Sequence, residues 1–186
     1  MSEPLRFAGI SGSLRKDSLN TALLTAVQSL LPDEVEFSVV NIGNLPLFNS
    51  DLESEGPVEV VQAFKKELSA ADALVIASPE YNYSIPGVLK NALDWASRGK
   101  DSPLLNKPVA IMGASPGQLG TARMQMHLRQ VFLFNNMRPV VKPEVFIGLA
   151  KTKFDSAGTL TDEQTKETIR LQMWALYEMT KRSSQS

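Results

Sequence analysis

Ser11-Gly12-Ser13-Leu14-Arg15-Lys16-Asp17-Ser18-Leu19-Asn20-Thr21 gathers hydroxyls, an amide and cations in one short run. Ser11, Ser13, Ser18 and Thr21 can donate through their hydroxyls, Asn20 through its amide and Arg15 through a charge-assisted contact. A helix opening behind them would add unpaired backbone N–H groups and the positive end of its dipole. That set suits one phosphate. The spacing of a Walker A loop is missing and so is G-x-G-x-x-G, which leaves triphosphate and pyrophosphate loops unsupported. A Ser-rich capped turn with solvated Arg15 and Lys16 accounts for the same residues. A second stretch, Pro79 to Gly87, brings Tyr81, Asn82 and Tyr83 together between prolines, so stiff backbone and aromatic faces could meet a planar heterocycle. A rigid turn with its tyrosines packed on the core is the plainer account. The third, Gly113 to Gly120, lets backbone approach a ligand closely at its glycines, or is simply a permissive turn.

All three stretches follow apolar runs. Leu5–Ile10, Val35–Ile42, Ala73–Ala77, Pro108–Met112 and Val140–Ile147 read as strands, with Val35, Phe37 and Val39 on one face of the second. Helical patterns cover about 18–31, stopped by Pro32, then 58–70, 86–97, 121–136 and 161–181. Ser18 is placed to cap the first, and Thr161-Asp162-Glu163-Gln164 resembles a capping box on the last. Residues 44–57 read as a long polar connection. Alternating strands and helices predict an α/β three-layer sandwich, and five strands in a short chain favour a flavodoxin-like parallel sheet of order 2-1-3-4-5. In such sheets ligands bind beyond the carboxyl ends of the strands, where the order reverses. The three stretches fall there. One domain over 1–186 is expected.

Composition narrows the function. Lys plus Arg number 19 against 20 for Asp plus Glu, a net charge of -1, which offers no field for nucleic acid or an anionic membrane. With no cysteine, thiolate chemistry and the usual zinc clusters are out, so redox chemistry would need a bound cofactor. Met1 to Arg6 lacks the regions of a signal peptide and no apolar run spans a bilayer, so a cytoplasmic enzyme is expected.

Gly9-Ile10-Ser11-Gly12-Ser13-Leu14-Arg15-Lys16-Asp17-Ser18-Leu19-Asn20 resembles the phosphate loop of the NADPH-dependent FMN reductase family. Pro79-Glu80-Tyr81-Asn82-Tyr83-Ser84-Ile85-Pro86-Gly87-Val88-Leu89-Lys90-Asn91-Ala92-Leu93-Asp94-Trp95 is similar to that family's P-E-Y-N…P-G…L-K-N-A-x-D-W signature. The resemblance implies non-covalent FMN, with Ser11, Ser13, Arg15, Ser18, Asn20 and Thr21 around its phosphate. Pro79, Glu80, Tyr81, Asn82 and Tyr83 would line the isoalloxazine, with Ser115 and Gly117 on its other flank. It further implies hydride transfer from NADPH or NADH, then reduction of quinones, free flavin, azo compounds or chromate by a ping-pong route. Family members form dimers or tetramers, so a homodimer or homotetramer is expected. No side chain need act as obligatory acid or base, since the cofactor carries the chemistry. An electron-transfer protein needing a partner reductase is the alternative on the same fold.

Other residues invite smaller readings. His127 is the only histidine and reads as a solvated or interface side chain rather than a metal ligand. Asn91 and Asp94 share a helix face and either orient the second stretch or are solvated. Arg98 and Lys100 either meet NADPH phosphates or stand as a solvated pair. Arg123 and Glu144 could pair between subunits, and Met124, Met126, Phe132 and Phe134 point to an oligomer interface or a buried helix.

Overall fold

The computed structural model describes residues 3–183, in which a parallel sheet lies between two layers of helices. In chain order the elements are β1 (Leu5–Ser11), α1 (Leu19–Gln28), β2 (Val35–Val40), α2 (Ser50–Ser54), α3 (Glu59–Ser69), β3 (Ala73–Ala77), α4 (Gly87–Ala96), β4 (Pro108–Ala114), α5 (Ala122–Phe132), β5 (Arg138–Pro139), β6 (Val145–Ile147) and α6 (Glu163–Ser183). The sheet order is β2-β1-β3-β4-β5, with β6 also on β4 and every pairing parallel. This is the flavodoxin-like order expected from the strand pattern.

The fifth position differs from expectation. A single strand over 140–147 does not form; β5 and β6 share the edge of β4, separated by residues 140–144. Pro139 and Pro143 have no N–H to give to a ladder, so pairing breaks between them.

Alternation along β3 decides the layers. Ala73, Val75 and Ala77 face a core built with Leu23, Leu24 and Val27 of α1 and Ile169, Met173 and Leu176 of α6. Leu74 and Ile76 face the opposite core, with Phe64 and Leu68 of α3, Leu89 and Leu93 of α4, and Met124 and Leu128 of α5. Both β3 and β4 are buried along their whole length, as strands covered on both faces must be. Each fully buried Leu or Ile contributes about 1.5–3 kcal/mol relative to exposure, so the two layers fix the sheet firmly.

At the other edge, β2 is only half covered: Val35 and Phe37 are partly buried while Val39 is 53% exposed, so the expected one-faced stripe is not buried at its end. Helix α1 stops at Gln28, short of Pro32, and the connection over 44–57 contains the short α2. Among the described residues no helix is long and apolar enough to cross a membrane.

Candidate functional site

The sheet brings the carboxyl ends of β1, β3 and β4 side by side, with Ser11 opposite Ala77 and Ala77 opposite Met112. The loops that follow are stitched together. Gly12 N donates to Ala77 O at 2.8 Å and Ser78 N to Met112 O at 3.1 Å. A Cβ on Gly12 would collide with Ser78, so only glycine lets the first loop lie this close to the second. The three stretches singled out in the sequence therefore lie side by side where the strand order reverses, the place at which such sheets offer a crevice to a ligand.

The first loop is built by local contacts. Ser11 Oγ lies 2.8 Å from Thr21 Oγ1 and also bonds within the loop to Ser13. Ser13 Oγ accepts from Arg15 N at 3.3 Å, and the Arg15 guanidinium curls onto Asp17 O at 2.6 Å. Ser18, extended at φ -78° and ψ 121°, caps α1: its Oγ accepts from Asn20 N and Thr21 N. With no acidic residue in the first turn of α1, the positive end of its dipole is left for an anion. Asn20 takes a different position from that of a free donor. It is buried, and its amide accepts from Ala114 N at 2.8 Å and donates to Ala114 O at 3.1 Å, tying the first loop to the end of β4.

The second loop is a tight hairpin. Tyr81 and Ser84 exchange backbone hydrogen bonds of 3.1 and 2.9 Å, and both residues between them, Asn82 and Tyr83, have positive φ (49° and 66°). Positive φ at both central positions marks a type I′ turn. Its rings are not core: Tyr81 is 50% and Tyr83 65% exposed. Ser78 Oγ donates to Pro79 O, fixing the entry to this loop.

Glu80 turns its carboxylate away from solvent, toward α5. Oε2 accepts from Arg123 N (3.0 Å) and Met124 N (3.1 Å), and Oε1 from Arg123 Nε at 2.6 Å. Thr121, which precedes α5, makes no side-chain cap, so Glu80 serves as the cap of that helix from 43 residues away. The hydrogen bond to Glu80 raises the Arg123 pKa further above its ordinary value. The third loop is held from behind: Ser115 N donates to Ile147 O, Ala150 N to Ser115 O and Leu149 N to Gly117 O. Ser115 Oγ accepts from Gly117 N at 3.2 Å.

Several side residues fall elsewhere. Asn91 is buried and clamps residues 46–48, accepting from Phe48 N and donating to Pro46 O, and Trp95 Nε1 donates to the same carbonyl. Asp94 pairs with Lys90 along the helix. Arg98 follows the far end of α4, away from the loops, paired with Glu53 and lying over Phe48. Within the chain Arg123 pairs with Glu80, and Glu144 with Lys142. His127 meets Ser84 of the hairpin, Nδ1 to Oγ 3.0 Å. Met124 and Phe132 are core, whereas Met126, Leu133 and Phe134 are exposed. The Glu80–Arg123 and Ser84–His127 contacts had no sequence signal, because each joins residues 43 apart.

A doubly wound sheet with a hydroxyl-rich helix N-terminus and an aromatic hairpin at its switch point is the architecture of a protein that holds a phosphate-bearing planar cofactor. The donor set fits a flavin mononucleotide: one anion cradle for a single phosphate, and a neighbouring wall of rigid backbone and exposed rings. The NADPH-dependent FMN reductase family model matches residues 5–152. An NAD(P)H-dependent FMN reductase of Pseudomonas aeruginosa is 47% identical over 176 residues, covering 95% of each chain. A quinone reductase of Escherichia coli (strain K12) is 39% identical over 185 residues, covering 98% of each. Among solved structures, the flavoenzyme NAD(P)H:(acceptor) oxidoreductase FerB from Paracoccus denitrificans superposes with a TM-score of 0.86 at 35% identity, covering 96% of this chain and 98% of that one. The chain belongs to the NADPH-dependent FMN reductase family, and it is an NAD(P)H-dependent oxidoreductase that works with FMN.

Proposed function

We propose that the chain, as one domain, holds FMN non-covalently across the three loops and reduces small-molecule acceptors such as quinones with electrons from NADPH or NADH. FMN, when bound, supplies the centre that takes hydride from the nicotinamide and gives electrons to the acceptor. The residues supply position and charge. Ser11, Ser13, Arg15, Ser18 and Thr21, with the N-terminus of α1, would hold the phosphate. Asn20 would act from one step back, keeping the first and third loops in register through Ala114. Pro79, Glu80, Tyr81, Asn82 and Tyr83 would form one wall for the ring system, chiefly through backbone, and Ser115 and Gly117 the opposite flank. Fixed amides beside the ring would favour its anionic reduced form. The chain also has a reason to self-associate as a homodimer or homotetramer: Leu133, Phe134 and Val141 expose large apolar surface near one another in sequence. A cytoplasmic location accords with the charge balance and the absence of cysteine.

The convergence of the three loops at the switch point carries this reading. The test is the visible spectrum of the purified protein mixed with FMN and freed of excess, before and after anaerobic NADPH. Retained yellow colour that bleaches on NADPH or NADH, and returns on adding a quinone, is the expected result. A protein that keeps no flavin, or whose flavin neither nucleotide bleaches, would overturn it. Parallel double-reciprocal plots with NADPH and quinone varied would mark the ping-pong order.

A further inference from the structure

A type I′ turn is most at ease with Asn-Gly at its centre, and this chain has Asn82-Tyr83. Asparagine visits the left-handed region readily, but a residue with a bulky side chain does not. Holding one there weights a local equilibrium against the turn by about 5- to 30-fold. The compensation comes from α5. Arg123 and His127 stand four residues apart on one face of that helix, and both reach the hairpin. The Arg123 guanidinium lies 3.5 Å from the centroid of the Tyr83 ring while its edge bonds to Glu80, the residue just before the turn. His127 Nδ1 lies 3.0 Å from Oγ of Ser84, the residue that closes it.

We propose that Arg123, seconded by His127, is a positioning residue that holds the Asn82–Tyr83 turn in its left-handed conformation, so that the hairpin keeps its place beside the flavin ring. The inference rests on the reading of residues 79–83 as one wall of the flavin site. Arginine is required rather than a generic cation, because a planar fork can grip Glu80 with its edge and cover Tyr83 with its face at once. A lysine ammonium can do one or the other.

A two-by-two cycle tests this, with R123K and Y83G alone and together in the full chain. Glycine at 83 takes the left-handed conformation without help, so the clamp should matter only while tyrosine is present. The first readout, taken without flavin, is hydrogen exchange of the Ser84 amide, which bonds to Tyr81 O in the turn. R123K should speed that exchange about tenfold in the tyrosine background and less than about threefold in the glycine background. The second readout is the FMN dissociation constant, followed by quenching of flavin fluorescence, with the shape of the visible band recorded alongside. The same pattern is expected: about tenfold weaker binding and a shifted band on R123K alone, and under about threefold in Y83G. Equal losses in both backgrounds, or no effect of R123K in either, would overturn the proposal, since Arg123 would then act only through α5 or not at all. FMN uptake by the wild-type chain judges the flavin reading separately, and the exchange cycle reads the clamp whichever way that falls.

Discussion

Helices α1 and α5 start at the same edge of the sheet and border the same crevice, yet their N-termini are satisfied in opposite ways. Ser18 caps α1 from the adjoining residue, and its loop closes on itself through Ser11, Ser13 and Thr21. Glu80 caps α5 from another element altogether, and Thr121, in the adjoining position, contributes no side-chain cap. The first arrangement leaves a positive helix end facing the crevice for a ligand. The second consumes the helix end with a protein carboxylate, turning α5 into an anchor for the aromatic hairpin. One N-terminus is kept open to bind and the other is closed to position, and the two helices pack on opposite faces of the sheet.

Breaking the closed end should have the larger effect. Glu80→Ala removes the acceptor of two backbone N–H groups and of Arg123 in a site where the carboxylate side chain is 6% exposed. A loss of about 2–4 kcal/mol is expected in urea unfolding, from orphaned donors and the unpaired guanidinium. An unchanged midpoint would mean that α5 is capped adequately by solvent. Asn20→Leu comes next. It leaves both the N–H and C=O of Ala114 without their side-chain partner in a buried place, for an expected loss of about 2 kcal/mol together with weaker FMN binding. Retained stability with weakened FMN binding would instead place Asn20 against the ligand directly. Ser18→Ala should lose only about 1 kcal/mol as a cap, and the loss should grow when FMN is present, because a weakened phosphate cradle gains less stability from the ligand. A loss that FMN leaves untouched would separate the cap from the phosphate cradle.

The same contrast explains what could be read from the sequence. Strand order, the buried β3 and β4, and Ser18 as a cap all depend on patterns within a few residues, and these were legible. So was the convergence of three loops, because sheet order alone dictates it. Glu80 also stood in the quoted signature, but the partner of its carboxylate was not legible, since Arg123 lies 43 positions on and no local pattern pairs them. Asn20 is a similar case, recruited by Ala114, 94 positions away. Pro139 and Pro143 did carry a local signal, a pair of missing donors that splits the last strand, and that signal was outweighed by the apolar run around them. Sequence pattern thus located the loops, while the partners that orient their side chains came from the packing of distant segments.

Another helix that starts at this edge, α6, sharpens the comparison from the mild side. Its cap is local like that of α1, but sits at Asp162 rather than Thr161: Asp162 Oδ1 accepts from Thr165 N at 3.0 Å and from Lys153 Nζ at 3.2 Å. Hydrogen bonding from the Thr165 hydroxyl, and then from Lys153, holds the Asp162 carboxyl below its ordinary value of 3.8. A carboxyl depressed by folding stabilises the fold above its unfolded pKa, and that contribution disappears as pH falls through the folded value. Asparagine also caps but does not titrate. Asp162→Asn should therefore lower the urea midpoint near pH 7, where the charged cap contributes, and flatten its decline below pH about 4, so that the two proteins converge in acid. Parallel declines for the two proteins would show that the Asp162 charge is already solvated as it is in the unfolded chain. The carboxylates of the molecule would then divide more sharply still, with Glu80 structural and the α6 cap indifferent to its charge.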